Sequence, residues 1–176
     1  EYYPMSTTQK RTYLICQMDS EGITYNMPQS IKLTGEVNVE GIKEALQKMI
    51  DRHEILRTEF LMIEGELVQK ILPTAEVDFE YAEDSETEEK ELMSGFVRPF
   101  DLGKAPMVRA KLVKREEGHI LMMDMHHIVG DGMSMGTFTR EFAALYNGEE
   151  LEVLTLLNGP YDKNSCTLEI HAGAGG

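Results

Sequence analysis

The sequence is poor in several features that define common functional classes. Its 176 residues include no tryptophan and only two cysteines, Cys16 and Cys166, which lie far apart and have no partner at the spacing of metal ligands. This pattern argues against a zinc site and against a disulfide framework. No apolar run is long enough to span a bilayer, and no basic-then-apolar start is typical of a signal peptide. We therefore expect a soluble protein in a reducing, cytoplasmic setting, in which Cys16 is a small buried apolar side chain.

Basic residues are scarce as well. Seventeen lysines and arginines stand against 31 aspartates and glutamates, so the formal charge is −14. Such a surface repels phosphate backbones, and no basic run offsets it, which argues against nucleic acid as a partner. Because 41% of the residues are hydrophobic, the chain can still bury a core. Its length corresponds to one domain, or to one lobe of a larger domain.

The hydrophobic pattern predicts helices and strands that alternate with short connections, which is typical of an α/β layered lobe. The predicted helices cover about residues 7–18, 39–50, 86–97 and 133–146, and the predicted strands cover about 27–34, 56–63, 67–71, 77–81, 107–114 and 120–125. The clearest helix follows Asn38, a favourable N-cap residue, and has its apolar residues at the spacing of one buried face. The last strand is apolar along most of its length, as in strands that are covered on both faces.

The most informative feature is the end of that last strand, where His126 and His127 are followed by Asp131-Gly132. Side chains at the end of a buried strand project from a rigid base into a cleft, where active-site residues often lie. Adjacent residues of a strand point to opposite sides, so one histidine can face the cleft while the other packs inward. The same divergence, without a third ligand at helical spacing, argues against a metal site. Each piece alone also has a simpler explanation, because a single loop histidine is more often structural and an Asp-Gly pair is more often a turn.

In combination, these residues resemble a known family. The pattern His126-His127-x-x-x-Asp131-Gly132 resembles the signature of the condensation-domain superfamily of nonribosomal peptide synthetases, which shares its fold with chloramphenicol acetyltransferase. Other segments are similar to further motifs of that family and occur in the same order. They are residues 3–11 (YPMSTTQKR), 52–60 (RHEILRTEF), 99–106 (PFDLGKAP) and 133–148. The resemblance implies an α/β fold, a chloramphenicol acetyltransferase-like lobe with a mixed, mainly antiparallel sheet flanked by helices.

The resemblance also implies roles for the residues at the end of the strand. His127, the second histidine, would face the cleft and act as a general base, or would instead position the amine and the developing oxyanion. His126 would be structural. Gly132 would place a backbone N–H near the reacting carbonyl.

A structural ion pair is expected beside the histidines. The resemblance implies that Asp131 pairs with an arginine of the 52–60 segment, and Arg52 is preferred over Arg57. Breaking a buried pair by removing one partner typically costs about 3–5 kcal/mol, so Asp131→Ala is expected to damage folding as well as activity. For His53, next to Arg52, we expect a hydrogen bond to the backbone.

The implied activity is amide bond formation. In the family, the amine of an aminoacyl thioester attacks the carbonyl of a donor acyl or peptidyl thioester, and carrier domains deliver both substrates on phosphopantetheine arms. No cofactor or metal is expected on this lobe itself. The resemblance covers about residues 1–153, the first of two lobes around the family's tunnel. The expected partners are therefore carrier domains, the C-terminal lobe and the adenylation domain of the same synthetase, and an isolated lobe is expected to be inactive.

Other functions are compatible with parts of the pattern. Epimerisation of a tethered residue is a sister activity, but the 52–60 segment is similar to condensing members, and the residues after Gly132 lack the Ser-Trp of epimerising ones. Ester-forming or small-molecule acyl transfer would require the trimer of the acetyltransferase relatives. A lobe that is not catalytic, or that serves only for docking, is the alternative from a different class.

The last residues are expected to lie outside this resemblance. We expect an atypical tail over 154–176, in which residues 157–176 resemble a segment of bacterial peptide-chain release factors of the second class. The peptide-release motif Gly-Gly-Gln is absent, so no translation function follows. A glycine-rich linker is the alternative interpretation.

Overall fold

The computed structural model describes residues 1–130 and 135–148 with their side chains, and residues 166–171 by their backbone. The helices are α1 (Thr7–Met18), α2 (Val39–Arg52), α3 (Glu89–Phe96) and α4 (Met135–Tyr146). The strands are β1 (Tyr2–Pro4), β2 (Asn26–Gly35), β3 (Thr58–Ile63), β4 (Glu66–Ile71), β5 (Asp78–Glu83), β6 (Val108–Lys114), β7 (His119–His126) and β8 (Cys166–His171). Short 3-10 helices cover Glu54–Arg57 and His127–Val129.

The starts of α1 and α2 are set by polar side chains that satisfy the first turn of each helix. Ser6 Oγ accepts a hydrogen bond from Gln9 N, and the Gln9 side chain accepts one from Ser6 N, which is a capping box. Asn38 Oδ1 accepts from Gly41 N at 3.0 Å, as the sequence predicts. From there α2 buries the apolar face that its spacing predicts, which consists of Ile42, Ala45, Leu46, Met49 and Ile50.

The main sheet has five strands in the order β5-β6-β7-β2-β8. The pair β5–β6 is parallel, and the other three pairs of this sheet are antiparallel. A smaller sheet has the order β1-β4-β3. Together with the four helices, this gives the mixed α/β lobe with a mainly antiparallel sheet that the sequence predicts.

The central strand β7 is covered on both faces, as its apolar sequence predicts. Leu121, Met123 and Met125 belong to the main core, to which α2 and α4 also contribute. The alternate residues Ile120 and Met122 belong to a smaller cluster with α3. Because strand residues alternate, Asp124 and His126 continue this second face, so the strand carries two polar side chains into a buried environment.

Two features of the first half of the chain differ from the prediction, one boundary and one short strand. Residues 56–57 belong to a 3-10 helix rather than to the predicted strand, and Thr58 Oγ1 donates to Glu54 O at 2.7 Å across that turn. The strand β1 is absent from the predicted set. It has three residues, too few to show a periodicity, and it pairs with β4 at the edge of the smaller sheet.

The helix α3 begins at Glu89 rather than at residue 86. Asp84 Oδ1 accepts hydrogen bonds from the backbone N–H groups of Glu86 and Thr87, which holds a turn where the pattern predicts helix. These bonds lower the pKa of Asp84. The predicted start of the last helix at 133 lies outside the described residues.

The strand β8 is a further element that the sequence pattern does not predict, and it lies in the expected tail. It pairs antiparallel with β2, from Ser30 opposite His171 to Gly35 opposite Cys166. Since the two strands come from opposite ends of the chain, no local pattern indicates this pairing. Within the part of the chain that the structure describes, no helix combines the length and the apolar character needed to cross a membrane.

Candidate active site at the end of strand β7

The chain leaves β7 at His126 and turns at once. His126 N donates to Met107 O at 3.3 Å, and His127 N donates to Tyr25 O at 2.8 Å. Residues His127–Val129 then form a 3-10 turn, which closes with a hydrogen bond from Gly130 N to His127 O at 3.0 Å. The backbone that carries the two histidines is therefore fixed from both sides.

His126 is enclosed by this turn and is 4% exposed. Its Nδ1 accepts a hydrogen bond from Ile128 N at 3.0 Å. An N–H group can only donate, so Nδ1 carries no proton, and in the neutral ring the proton lies on Nε2. That nitrogen is 3.6 Å from Cys16 Sγ, which completes the surroundings of the imidazole.

The environment of His126 favours its neutral form. Burial lowers the pKa of His126 to about 4, with smaller electrostatic contributions from His127 and Arg109. The ring stacks on Tyr25 with 6.3 Å between centroids and meets Phe100 edge-on at 5.8 Å. The buried neutral imidazole supports the turn, because its Nδ1 bonds to Ile128 N and its Nε2 lies against Cys16 Sγ. Such an imidazole is a poor proton acceptor near neutral pH.

His127 has the opposite surroundings, because its side chain is exposed. Tyr25 lies edge-on to the ring, with 6.3 Å between centroids. A Cβ atom on Gly130 would lie 3.2 Å from His127 O and 3.4 Å from His127 Nδ1, which is a close approach. The φ angle of Gly130 is −71°, which any residue adopts, so the space beside His127 rather than the backbone favours glycine here.

A buried polar group lies behind the histidines and was not among the predicted site residues. Asp124 is 0% exposed, and burial raises the pKa of its carboxyl group against the opposing effects of Asn26 and Arg109. Asn26 Nδ2 donates to Asp124 Oδ2 at 2.7 Å and to Arg98 O at 2.8 Å. The one charged residue in an otherwise apolar buried strand is the sequence signal that could have identified it.

Arg109 ties the 98–102 segment to the same face of the sheet. Its guanidinium lies 3.6 Å from the centroid of the Phe100 ring and donates to Arg98 O and Pro99 O at 2.9 and 3.3 Å. Burial lowers the pKa of Arg109, with a further contribution from Arg98. Arg109 therefore holds Phe100 against His126.

Two neighbouring cavities are lined in part by His126. One has a volume of about 290 Å³ between the end of α1 and the 99–102 segment, and the other has about 170 Å³ toward Tyr25. Both are lined by His126 and Cys16. Cys16, expected as a buried apolar side chain, is half-buried, and burial raises the pKa of its thiol. The exposed His127 lines neither of these two cavities.

The predicted arginines lie in two different environments. Arg52 Nε is 3.7 Å from Glu141 Oε1, at the contact between α2 and α4. The Arg57 guanidinium donates to Leu72 O at 3.2 Å and to Asp51 O at 3.4 Å. The predicted ion pair with Asp131 lies outside the described residues.

The expectation for His53 is wrong. Among the described residues, its side chain bonds to a carboxylate and not to the backbone: His53 Nε2 lies 2.5 Å from Glu141 Oε2. The sequence pattern could not show this, because Glu141 is one acidic residue among many and lies on a helix far along the chain. Gly132, like Asp131, lies outside the described residues. Within the described part of the chain, no group of three His, Cys, Asp or Glu side chains is arranged to hold a metal ion.

Comparison with known proteins places this geometry in a family. The family model described as the condensation domain matches residues 1–163. The chain is 44% identical over 157 residues to tyrocidine synthase 3 of Brevibacillus parabrevis, covering 89% of this chain and 2% of that protein. It is also 44% identical over 157 residues to surfactin synthase subunit 2 of Bacillus subtilis, covering 89% of this chain and 4% of that protein.

The fold is shared with solved structures. The starter condensation domain of the rhizomide synthetase RzmA superposes with a TM-score of 0.73 at 21% identity, covering 85% of this chain and 41% of that chain. The chain thus spans a small fraction of the curated relatives and about two fifths of the solved domain. The family match over most of its length shows that the chain belongs to the condensation domain family.

Proposed function

We propose that this chain supplies the histidine-bearing part of an active site that forms amide bonds between a carrier-bound acyl or peptidyl thioester and a carrier-bound aminoacyl thioester. The observation that carries the proposal is the different placement of two adjacent histidines. His126 is buried, has a pKa of about 4, and holds the turn through Ile128 N. His127 is exposed on a rigid backbone at the end of a central strand.

The reaction places modest demands on such a site. The acceptor ammonium must lose a proton, the amine must be aimed at the donor carbonyl, and charge that develops on the carbonyl oxygen must be stabilised. An exposed imidazole on a fixed turn fits two of these roles, as general base or as a hydrogen-bonding group that positions the amine. The two roles are separated by His127→Gln, which keeps a hydrogen-bonding group at the side-chain end but removes the base.

The substrates and partners follow from family membership as part of the same proposal. Carrier domains would present both thioesters on phosphopantetheine arms, so this part of the domain would bind no cofactor of its own. The relatives are named as synthases of tyrocidine and surfactin, which supports a synthetase setting with adenylation domains. Because the chain matches 41% of a solved condensation-domain chain, the proposal assigns the rest of the site to the rest of such a domain.

The ion pair between Asp131 and Arg52 remains part of the proposal. Arg57 is the weaker partner, because its guanidinium already donates to two backbone carbonyl groups, of Leu72 and Asp51. Arg52 projects from the end of α2 with 30% of its side chain exposed, beside the helix that follows the histidine turn. Gly132 is proposed to place a backbone N–H near the reacting carbonyl, and the assay of amide formation below is the measurement that tests this role.

A chimeric condensation domain tests the proposal. In this chimera, residues 1–163 replace the matching segment of tyrocidine synthase 3. Donor and acceptor carrier domains loaded with aminoacyl thioesters are added, and products are identified by mass spectrometry after release from the carrier.

The proposal expects a dipeptidyl thioester on the acceptor carrier, with no product when the donor is left unloaded. Inversion of a tethered residue without dipeptide would instead favour epimerisation. A folded chimera that receives both loaded carriers and forms no amide would contradict the proposal.

A further inference from the structure

We propose that Glu141 is a positioning residue for the turn that carries His127, an inference that rests on the function proposed for that histidine. Glu141 lies in α4 and is 3% exposed, which is unusual for a carboxylate. Its Oε2 lies 2.5 Å from His53 Nε2, and its Oε1 lies 3.7 Å from Arg52 Nε. The carboxylate therefore joins α4 to the residues where α2 ends.

The chemistry at this contact explains why it holds α4 in place. A buried carboxylate is costly unless it is paired and hydrogen-bonded. The carboxyl end of α2 carries partial negative charge, as in any helix. The carboxylate of Glu141, which contacts this end, therefore depends on nearby cations for its stability. His53, the first residue after α2, supplies a hydrogen-bond donor to the carboxylate, and Arg52, the last residue of α2, supplies a positive charge with its Nε 3.7 Å from Oε1. A shift of α4 away from these two residues separates the carboxylate of Glu141 from both of these partners.

The segment that binds Glu141 is also linked to the histidine turn through the backbone. Leu56 N donates to His53 O, Met107 N donates to Leu56 O, and both distances are 3.0 Å. Met107 O in turn accepts from His126 N at 3.3 Å. The start of the turn is thus anchored, through these three bonds, to the residue that contacts Glu141.

In the sequence, the other end of the turn is followed by α4. Gly130 closes the turn on His127 O, and α4 begins at Met135. The turn is therefore hydrogen-bonded at its start to the segment that contacts Glu141, and in the sequence it precedes the helix that carries Glu141. A contiguous network of this kind can couple two sites, but coupling has to be measured rather than read from a path.

Hydrogen exchange on the full 176-residue chain provides the measurement. Glu141→Gln keeps the size of the side chain and removes its charge. The matched control is Glu44→Gln, which makes the same chemical change at an exposed position of α2. For Glu141→Gln we expect the amides of Ile128 and Gly130 to exchange about threefold to thirtyfold faster, the range of measured long-range couplings. Amides of the β3–β4 hairpin and all amides of Glu44→Gln should keep their wild-type rates.

Two results would overturn the inference. One is unchanged exchange at Ile128 and Gly130. The other is equal acceleration at every amide, including the β3–β4 hairpin, since that shows a general loss of stability without a positioning role. If Glu141→Gln does not fold, His53→Ala is used instead, because it removes the donor from the same contact and must give the same local pattern.

The outcome is independent of catalysis, because exchange is measured without substrates. If His127→Ala retains full activity in the chimera while Glu141→Gln loosens the turn, the proposed function fails and the structural coupling stands. If His127→Ala is inactive and the exchange of Ile128 is unchanged, the proposed function stands and the role of Glu141 is refuted.

Discussion

Acidification should destabilise this protein through His126, because the folded chain holds that imidazole in its neutral form. The pKa of His126 is about 4 in the folded chain, chiefly because the ring is buried. In an unfolded chain a histidine has an ordinary pKa of about 6.5. The unfolded state therefore binds a proton first as the pH falls, and the free energy of unfolding decreases between these two values. Above about pH 6.5 this contribution is fully present.

The size of the effect follows from the two pKa values. Between about pH 7.5 and pH 5.5, linkage gives a loss of about 1.3 kcal/mol, and near pH 4 the loss approaches about 3 kcal/mol. The upper pH range is preferable for the experiment, because the isoelectric point is near 4.7 and the chain loses its net charge there. Other groups also titrate in this range, so the contribution of His126 must be isolated by comparison.

His126→Asn isolates that contribution. The Asn oxygen stands close to the position of Nδ1, so it can still accept from Ile128 N, but the side chain does not titrate. Urea unfolding of both proteins at about pH 7.5 and 5.5 gives the pH-dependent loss for each. We expect the wild type to lose about 1.3 kcal/mol more than the variant over this range. Equal losses would show that the imidazole is not held neutral, and the structural role assigned to His126 would be wrong.

Other variants test the surroundings of the turn. Gly130→Ala should change the urea midpoint little but reduce amide formation by the chimera about tenfold, since its Cβ crowds the His127 carbonyl oxygen at 3.2 Å and so shifts the turn by a few tenths of an ångström; wild-type activity would refute this. Asn26→Ala removes the hydrogen bond to the buried Asp124 carboxyl, and should lower the free energy of unfolding by about 1–3 kcal/mol, whereas an unchanged urea curve would count against it. Because burial raises the pKa of Cys16, its alkylation by iodoacetamide near pH 8 should be slower than in the urea-unfolded chain, and equal rates would contradict the described burial.

Local sequence patterns are sufficient to predict the helix α2 and the strand β7. The helix after Asn38 is predictable because a capping side chain and a periodic apolar face occur together. The strand β7 is predictable because it is apolar on both faces, and its end at His126 follows from that pattern. The divergence of His126 and His127 follows from strand geometry, although only the structure shows which of them is buried.

The contacts that support the site join residues far apart in the chain, and no local pattern contains them. The sequence pattern of α4 does not indicate that Glu141 pairs with His53. Arg109 sits in an ordinary strand, and its role beside Phe100 depends on how the 98–102 segment folds back. The strand β8 illustrates the same limit, because it pairs with β2, a strand far away in the sequence.

The most direct test of the account is the single-turnover rate of amide formation by the chimera with and without His127. We expect His127→Ala to lower this rate about 100-fold to 10,000-fold, the usual contribution of a general acid or base, with no change in the urea midpoint. His119→Asn, at the other end of β7, is the matched control and should keep the wild-type rate. A folded His127→Ala chimera that forms the amide at the wild-type rate would contradict the central claim that the exposed histidine carries the chemistry.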